Sequence, residues 1–475
     1  MACVNIPDST QGLSASQGMH VAIVGAGIGG LTCAIACRRM NKNLRVTVFE
    51  RAAKVLTLGA GLHIPPNASK ALARLGLLDK VKSEAAGYKV DDFTLRRYED
   101  GQVLVRKPLT GRVEKQYGGE WIAIHRGDYQ SVLLAEAIDA GAEVMINAEV
   151  VGLEQSQSSQ QAVLLKDGRR VEADVVIGAD VLLADLTIGL WSLMREFVLE
   201  RPFAPTETGD LAYRGTFPRD ALLKLGNERV NETLERSDIQ VWLGPGKHAV
   251  FYPLRNKTEY NLVLLVGDDL AKGVKVAPSS LEEMISHFDG WDPILKDIIS
   301  CLDTSLKWKL LHFESLNKWT KGPVALLGDA THPTLPYQGQ GAAMAVEDGV
   351  ILGQLLAKTL EKGCLSADQA RKNDYLTALL KLYQDLRKQR TETNVAGAVH
   401  TQHFYHLADG EAQQRRDAEL AGLPDTDWQG KCSFNWGDAE YQRRLLGFDV
   451  LADSADKFEE WWAAFQKAGA SNGLD

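Results

Sequence analysis

Three glycines and one glutamate near the start of the chain have the types and spacing needed to bind a dinucleotide. Gly25, Gly27 and Gly30 follow the apolar run "HVAIV" and precede Leu31–Met40, which has helical spacing. In such a turn the first glycine permits the bend, the second lets the backbone approach a pyrophosphate, and the third allows close helix–strand packing. Glu50 ends the next strand, where a carboxylate binds ribose hydroxyls. The combination predicts a dinucleotide site, whereas the glycines alone would be a weak signal.

Metal chemistry is not expected from the histidines or the cysteines. His400, His403 and His406 follow one another at three-residue spacing, whereas zinc-binding helices place two histidines four residues apart with an acidic partner. The six cysteines show no CxxC spacing, so they indicate neither a zinc site nor a disulfide framework. We therefore predict no metal, and a reducing, cytoplasmic environment.

The elements that must position these residues change in character along the chain. The first part reads as strand, turn and helix of a Rossmann-type unit. Between Arg201 and Lys309 alternating strands such as "DIQVWLG" and "HAVFYPLR" predict a mostly antiparallel sheet with one packed face. "VALLGD" then returns to a buried strand that ends at Asp329, at the sheet edge where open α/β folds bind ligands. The pattern after Leu407 is helical and carries no visible chemistry.

Composition describes an ordinary globular protein and argues against several partners. The chain has 475 residues, 45% of them hydrophobic, which predicts two domains and an extension. Its formal net charge of -9 disfavours nucleic acid or an anionic membrane as the main partner. The apolar run His20–Cys37 is better explained by the strand–turn–helix pattern than by a membrane segment. The polar start of the chain lacks the features of a signal peptide and predicts a disordered tail.

Five longer motifs carry a resemblance to a known family. They are "GAGLHIPPNASKALARLGLLD" from Gly59, "IHRGDYQSVL" from Ile124, "YRGTFP" from Tyr213, "WLGPGKHAVFYPLR" from Trp242 and "VALLGDATHPTLPYQGQGAAMAVEDGVIL" from Val324. Together they resemble the group A FAD-dependent aromatic monooxygenases, most closely the fungal salicylate-hydroxylase-like branch, from Met19 to Phe448. The resemblance implies an α/β fold with a discontinuous Rossmann-type FAD-binding domain, an inserted, mostly antiparallel β-sheet substrate domain and a C-terminal helical extension. The expected boundaries are 1–18 for the tail, 19–200 and 311–400 for the FAD-binding domain, 201–310 for the sheet domain and 401–475 for the extension.

The resemblance also implies which residues bind FAD. Besides Gly25, Gly27, Gly30 and Glu50, the residues expected at the cofactor are Arg51, Gly61, Arg126, Asp180, Asp329, Gly339, Gly341 and Ala342. Arg126 would reach the flavin and the pyrophosphate, and Asp329 would hydrogen-bond the ribityl chain. A helix that begins beside the flavin pyrimidine would stabilise the negative charge of the reduced ring.

By the same resemblance, NADH or NADPH acts as a transient reductant and molecular oxygen forms a flavin C4a-hydroperoxide. An electron-rich aromatic ring then attacks the distal oxygen; a phenol, a hydroxybenzoate or salicylate-like acid, and an indole all stay open. Two alternatives remain: a plain NAD-dependent dehydrogenase, and a family member that has lost catalysis. The chain is expected to be a monomer or a homodimer.

Two residues are the catalytic candidates. Arg214 is predicted to anchor or protonate the substrate, with a salt bridge across the sheet as the alternative. His63 lies in the strand that flanks the flavin in the family, and its near-neutral reference pKa suits a group that orients or deprotonates a phenol. A structural role for His63 is the alternative. Further candidates for the substrate wall are Tyr213, Trp242, Phe251 and Tyr252, although residues adjacent in a strand cannot face the ligand together.

The family's second signature, Asp-Gly-x-x-Ser-x-x-Arg, is interrupted in this chain. Asp180 is followed by the eight residues Val181–Ile188, and only then come Gly189, Ser192 and Arg195. The insert is either a natural loop or retained intron sequence, since splice donors and valine codons both begin with GT. In one outcome the following helix extends back through the insert. In the other, Asp180 and Gly189 no longer form one turn and flavin affinity falls.

Overall fold

The computed structural model describes residues 18–54, 60–156, 160–181, 191–302, 305–313, 315–363, 368–423 and 430–471. Its strands are β1 His20–Val24, β2 Arg45–Phe49, β3 Gly61–Ile64, β4 Tyr88–Lys89, β5 Asp92–Arg97, β6 Val103–Pro108, β7 Ile122–His125, β8 Glu143–Met145, β9 Val150–Gln155, β10 Gln161–Leu165, β11 Arg170–Ala173, β12 Val175–Gly178, β13 Thr206–Pro218, β14 Ile239–Gly244, β15 Lys247–Leu254, β16 Glu259–Gly267, β17 Val276–Ser279, β18 Ser305–His312, β19 Thr320–Lys321 and β20 Val324–Leu326.

The helices are α1 Ile28–Met40, α2 Pro66–Arg74, α3 Leu78–Glu84, α4 Arg112–Tyr117, α5 Arg126–Asp139, α6 Leu193–Leu199, α7 Arg219–Leu223, α8 Glu228–Glu235, α9 Leu281–His287, α10 Pro293–Ile299, α11 Gly341–Glu361, α12 Gln369–Tyr405, α13 Glu411–Ala421, α14 Ala439–Leu446 and α15 Val450–Ser471. Within the described ranges, none of them is long and apolar enough to cross a lipid bilayer. The predicted N-terminal tail falls outside these ranges, apart from Gly18.

A six-stranded sheet forms the centre of the first domain, in the order β19-β20-β12-β1-β2-β8. Its neighbouring strands pair in parallel except for β19 with β20. The central strands β1 and β12 are runs of apolar residues with almost no exposure, as expected for a parallel sheet covered on both faces. Helix α1 packs against α11 and α5. Because β20 comes late in the chain, this domain is discontinuous, as predicted.

An eight-stranded sheet forms the second domain, in the order β17-β18-β13-β16-β15-β14-β5-β6. All its pairings are antiparallel except β14 with β5. One face packs against α7, α8, α9 and α10 through a continuous apolar core. The other face turns toward the loops of the first domain and the C-terminal helices. Strands β5 and β6 also join this sheet, although the alternating pattern between 201 and 310 gave no sign of them.

The C-terminal helices connect the two sheets. Helix α12 buries Tyr383 against the first domain and Phe404 against the second. Beyond it, Arg97 of β5 forms ion pairs with Asp409 (3.1 Å) and Asp417 (3.0 Å). The predicted fold class is therefore confirmed: a Rossmann-type domain, an inserted and mostly antiparallel sheet, and a helical extension.

The helix after the insert begins later than one of the expected outcomes requires. Ser192 has an extended backbone, and its side chain accepts a hydrogen bond from the backbone N–H of Arg195 (3.0 Å), so it caps α6. The expectation that α6 extends back through the insert is therefore wrong at Ser192, where the helix would have to continue. Residues 182–190, including Gly189, lie outside the described part of the chain.

Candidate active site

The glycine-rich turn between β1 and α1 has open space at its centre. Gly25 has a φ of +107°, and a Cβ on it would lie 2.5 Å from the carbonyl oxygen of Ala179. A Cβ on Gly30 would lie 2.1 Å from the carbonyl oxygen of Gly25, so strand and helix pack closely there. A Cβ on Gly27 would have no described protein atom within 4 Å. The turn thus leaves room for an anion at the N-terminus of α1, where free N–H groups and the helix dipole favour one.

Glu50 is held beside this turn by backbone hydrogen bonds. Its Oε2 accepts from the N–H of Ala26 (3.0 Å) and its Oε1 from the N–H of Ala52 (2.9 Å). Gln130 of α5 donates to the carbonyl oxygen of Ala26 (2.7 Å) and braces the turn from the other side. Gln130 was not predicted from the sequence, although its place in the "IHRGDYQ" motif was an available signal. The predicted cofactor residue Arg51 is exposed.

The two halves of the interrupted signature meet in space. Asp180 accepts hydrogen bonds from the Ser192 hydroxyl (2.8 Å) and from the N–H of Met194 (3.2 Å). Burial raises the pKa of Asp180 to about 6, although both hydrogen bonds favour the charged form. The chain therefore leaves at Asp180 and returns beside it at Ser192, whatever path the insert takes between them.

Arg195, the last residue of that signature, joins it to the loop after β20. Its Nε donates to the carbonyl oxygen of Ala330 (2.8 Å) and its Nη2 to that of Asp329 (2.8 Å). The guanidinium lies 4.1 Å from the ring centre of Phe313. Burial lowers the pKa of Arg195 to about 10, so the side chain stays charged at neutral pH. Arg195 was predicted only as part of the signature, and its link to the loop after β20 was not predicted.

Asp329 follows the carboxyl end of β20 and lies close to Arg126, which in turn lies close to Arg214; the space that these three residues border is called the cleft. The residue is exposed, and its carboxylate accepts no hydrogen bond from a side chain or N–H of the described residues. The surrounding protein raises the pKa of Asp329, against the attraction of His332 and Arg126. Arg126 is the first residue of α5, and its positive charge lies close enough to lower the pKa of Asp329. A free acceptor in this place can bind a hydroxyl of a cofactor chain.

A buried ionic network fixes the turn that leads into α11. Asp348 accepts from the N–H of Gly328 (2.9 Å), from His332 Nε2 (2.6 Å) and from Arg387 Nε (2.7 Å). Arg387 also contacts Glu347 (2.7 Å). Although burial opposes the charge, His332 and Arg387 hold the pKa of Asp348 at about 2. His332 is thus a structural part of the loop and not a free base.

The three other predicted residues of this turn lie at its end. Gly339 has a φ of +62°, Gly341 begins α11 and Ala342 is half-buried. A Cβ on Gly339 would lie 3.6 Å from the Cβ of His63. The N-terminus of α11 and the strand that carries His63 are therefore direct neighbours. The binding of flavin by these residues stays a prediction.

The sheet divides the predicted substrate wall into two sets. The prediction is wrong for Tyr213, Trp242 and Phe251, which pack in the core beneath α7–α10. Tyr252 and Arg214 lie on the opposite face, because neighbours in a strand point to opposite sides.

Arg214 has no acidic partner in the part of the chain that the structure describes. It is exposed to the cleft, and no ion pair of the described residues includes it, so the predicted salt-bridge alternative is not observed. Burial of the guanidinium by the surrounding protein lowers the pKa of Arg214; the nearby charges that act on it are those of Tyr252, when ionised, and Arg126. The cleft thus contains an unneutralised positive charge.

His63 is a neutral side chain beside Tyr252. The two ring centres are 4.4 Å apart, and Trp121 lies 6.3 Å away on the other side. Burial lowers the pKa of His63 to about 3. Its Nδ1 is buried and has no hydrogen-bond partner among the described residues.

Gly61 and Asn261 bring the His63 strand against the sheet. A Cβ on Gly61 would lie 2.6 Å from the Tyr252 ring. The N–H of Gly61 donates to Asn261 Oδ1 (2.9 Å), which links β3 to β16. Asn261 was not predicted, because nothing near it in sequence signals a contact 200 residues away. The structure explains Gly61 by its contact with Tyr252, and its role toward the cofactor stays a prediction.

The histidines at three-residue spacing do not converge. His406 Nε2 is hydrogen-bonded to His248 Nδ1 (2.8 Å), and His403 to the carbonyl oxygen of Val399 (2.9 Å). One other group, Asp269, Glu283 and His287, has ligand atoms close enough for a metal among the residues described. Lys307 Nζ lies 3.0 Å from Asp269 and 2.6 Å from Glu283, so an ammonium already balances these carboxylates.

Comparisons with known proteins agree with this geometry. The family described as FAD binding domain matches residues 18–398. The chain is 35% identical to FAD-dependent monooxygenase OpS4 of Beauveria bassiana (strain ARSEF 2860), over 93% of this chain and 98% of that protein. It is 31% identical to 3-hydroxybenzoate 6-hydroxylase of Polaromonas naphthalenivorans (strain CJ2), over 91% and 96%. The solved structure of a salicylate hydroxylase substrate complex has the same fold, with a TM-score of 0.71 and 23% identity over 93% and 98% of the two chains.

The site fits FAD. The space at Gly27, the bound carboxylate of Glu50 and the free carboxylate of Asp329 suit a pyrophosphate and two sets of hydroxyls. FAD is therefore the cofactor, and the alternative of a plain NAD-dependent dehydrogenase is discarded. The chain belongs to the family of flavoprotein monooxygenases that carry the FAD binding domain, as its motifs predicted.

Proposed function

We propose that this monooxygenase hydroxylates the ring of an aromatic acid of the hydroxybenzoate type, with NADH or NADPH as the reductant. The observation that carries this proposal is the guanidinium of Arg214, which has no carboxylate partner among the described residues. The name of one relative, 3-hydroxybenzoate 6-hydroxylase, contains such an acid and supports the same choice. A phenol or an indole without a carboxylate would leave the charge of Arg214 unpaired.

Arg214 favours an anion for electrostatic reasons. Arg214 is exposed, so water solvates its charge, and an aromatic ring that displaces this water is favoured only when it brings an opposite charge. The described residues offer Arg214 no carboxylate, and Arg126 adds a second positive charge nearby. A planar guanidinium binds a carboxylate through two parallel hydrogen bonds, which also fixes the direction of the attached ring.

His63 and Tyr252 suit the ring hydroxyl of such a substrate. With a pKa of about 3, His63 is neutral at physiological pH and is too weak a base to deprotonate a phenol efficiently. A neutral imidazole can still orient the hydroxyl by a hydrogen bond. Burial raises the pKa of Tyr252, so its hydroxyl stays protonated and can donate. Of the two predicted roles for His63, orientation is the one that we propose.

The flavin supplies electrons and activates oxygen when it is bound. The residues of this chain hold it and protect the chemistry from water. The turn at Gly27 and the N-terminus of α1 receive the pyrophosphate, and Asp329 accepts from the ribityl hydroxyls. Trp121, Tyr252 and Leu335 belong to one apolar cluster at the cleft, which excludes water from the ring.

A matched set of ligands and variants tests the proposal. Hydroxybenzoic acids and the corresponding amides have the same ring but differ in charge. We expect the acids, and not the amides, to stimulate NADH or NADPH oxidation. Arg214→Met should keep FAD bound but raise the KM for the acid about 10- to 150-fold. This factor corresponds to the loss of one hydrogen bond to a charged group. Arg214→Lys should lose less, because it keeps the charge.

The same assay can reject the proposal. Equal stimulation by an acid and its amide would show that the carboxylate is not recognised. Unchanged KM and unchanged coupling of NADH or NADPH oxidation to product in Arg214→Met would return Arg214 to a structural role.

A further inference from the structure

The C-terminal helix α14 contacts the turn that precedes α11. Gln338 comes directly before Gly339, and its side-chain amide is hydrogen-bonded to the C-terminal helices. Its Nε2 donates to the hydroxyl of Tyr441 (2.9 Å), and that hydroxyl lies 3.2 Å from Gln338 Oε1. Thr401 of α12 lies 3.4 Å from the same Nε2. A side chain of the extension therefore fixes a residue of the turn, although the extension itself showed no chemistry in the sequence.

Gly397 of α12 makes room for this contact. A Cβ on Gly397 would lie 1.8 Å from the Tyr441 hydroxyl and 2.8 Å from Gln338 Nε2. Gly397 is inside a helix of 37 residues, where alanine would normally be more favourable. The position of Tyr441 explains why a glycine stands there.

Tyr337, the residue before Gln338, is hydrogen-bonded to the substrate sheet and to α12 through Asp210. The hydroxyl of Tyr337 donates to the buried carboxylate of Asp210 on β13. Gln402 of α12 donates to the same carboxylate. Tyr337 and Gln338 are thus clamped by the substrate sheet, by α12 and by α14, directly before the glycine that borders His63.

We propose that Tyr441 is a positioning residue of the active site. Through Gln338 it sets the turn at Gly339 and hence the N-terminus of α11, two parts of the chain that would hold the flavin. The inference uses flavin binding alone, so it does not depend on which aromatic substrate the enzyme takes.

Two consequences follow for the bound flavin. A looser turn should weaken FAD binding, because part of the binding energy must then order the turn. It should also make the midpoint potential of bound FAD more negative. The reason is that a helix N-terminus stabilises the negative charge of the reduced ring only at short range.

The test uses Tyr441→Phe and Gly397→Ala, each measured in the full chain. Glu440→Gln is the control, since Glu440 is an exposed residue of α14 that pairs only with Arg444 in the described contacts. The dissociation constant of FAD is measured by titrating the deflavinated protein, and the midpoint potential by equilibration with redox dyes. Both variants should bind FAD about 3- to 10-fold more weakly, as expected for one lost hydrogen bond, with a more negative potential. The control should match the wild type.

A double variant distinguishes a local clash from general damage. Gly397→Ala should have a smaller effect in the Tyr441→Phe background, because the hydroxyl nearest to the added methyl group is gone. A Tyr441→Phe protein with wild-type FAD affinity and potential would overturn the proposal, even if its melting temperature fell. Strictly additive effects of the two substitutions would also overturn it.

Discussion

Gly27 and Gly30 lie three residues apart in one turn, yet an added side chain would meet different surroundings at the two positions. At Gly27 the space is open, whereas at Gly30 the Cβ would collide with the backbone of Gly25. We propose that the same distinction separates residues that bind the cofactor from residues that stabilise the fold. The carboxylate of Asp329 accepts no hydrogen bond from the described residues, whereas that of nearby Asp348 accepts three.

Substitution of the two glycines should separate these roles. We expect Gly27→Val to fold with an unchanged melting temperature in the absence of flavin, but to lose FAD, because the side chain fills the space of the pyrophosphate. Gly30→Ala should instead lower the free energy of unfolding by about 1–3 kcal/mol through overpacking. Flavin absorbance of the purified proteins and thermal melting of the deflavinated proteins measure both effects. Full FAD occupancy in Gly27→Val would contradict the assignment of this turn.

The residues that could be predicted from sequence are those whose signal is local. Gly25, Gly27, Gly30 and Glu50 belong to a single βαβ unit, so their spacing carries the information. Asn261, by contrast, acts on Gly61 across 200 residues of chain, and no periodicity encodes that contact. Strand period correctly warned that Tyr252 and Phe251 could not both face the ligand, but the inward face was only known once the sheet was placed against its helices.

At the scale of elements, the interrupted signature closes around its insert. Asp180 and Ser192 are hydrogen-bonded, so the residue that follows strand β12 and the residue that precedes helix α6 lie side by side. The helix starts at Leu193 because the capping side chain of Ser192 is a stronger local signal than the apolar run before it. The sequence predicted that the motif is split. The hydrogen bond between Ser192 and Asp180 explains how two of its residues still meet in the folded chain.

Deletion of Val181–Ile188 is the direct test of the insert. The loop between Asp180 and Ser192 would shrink from eleven residues to three, which lowers the entropy cost of closing it by about 1 kcal/mol. We expect flavin occupancy and melting temperature to rise together, since FAD binds only the folded chain. A full-length protein that already holds one FAD per chain and loses it on deletion would make the insert a functional element. Sequencing of the mature transcript separately decides whether the eight residues are encoded.

At the scale of the whole molecule, the two sheets are joined by the C-terminal helices. The proposed site residues come from both sheets, from α5 and from the turn before α11, so the proposed site exists only when the domains are assembled. The sequence predicted this architecture through its motifs. It did not predict how α14 fixes the turn, because the contact between Tyr441 and Gln338 joins segments with no shared pattern.

The buried histidines make the assembled fold sensitive to acid. Burial lowers the pKa of His20 and His406 to about 4 and that of His63 to about 3, from 6.5 in the unfolded chain. Their contribution to stability is therefore complete above pH 6.5 and is lost as the pH falls toward 4 and then 3. The loss is at most about 1.4 kcal/mol per pH unit for each histidine.

The pKa of Asp180 is raised to about 6, so this carboxyl group stabilises the folded chain as the pH falls from 6 to 3.8. Over that range it offsets the loss of stability caused by about one histidine. We expect the melting temperature of the deflavinated protein to fall steadily between pH 6.5 and 4, and less steeply in His63→Gln. A melting temperature that does not change over this range would contradict the assignment of these histidines as neutral and buried.

We propose that the chain uses FAD and a nicotinamide reductant to place one oxygen atom from molecular oxygen on an aromatic ring. The most direct measurement is mass spectrometry of the product formed under isotopically heavy oxygen gas, with the hydroxybenzoic acid that best stimulates NADH or NADPH oxidation. We expect one heavy oxygen atom on the ring for each reductant molecule consumed. A product without the label, or reductant oxidised only to hydrogen peroxide with every acid of the series, would contradict it.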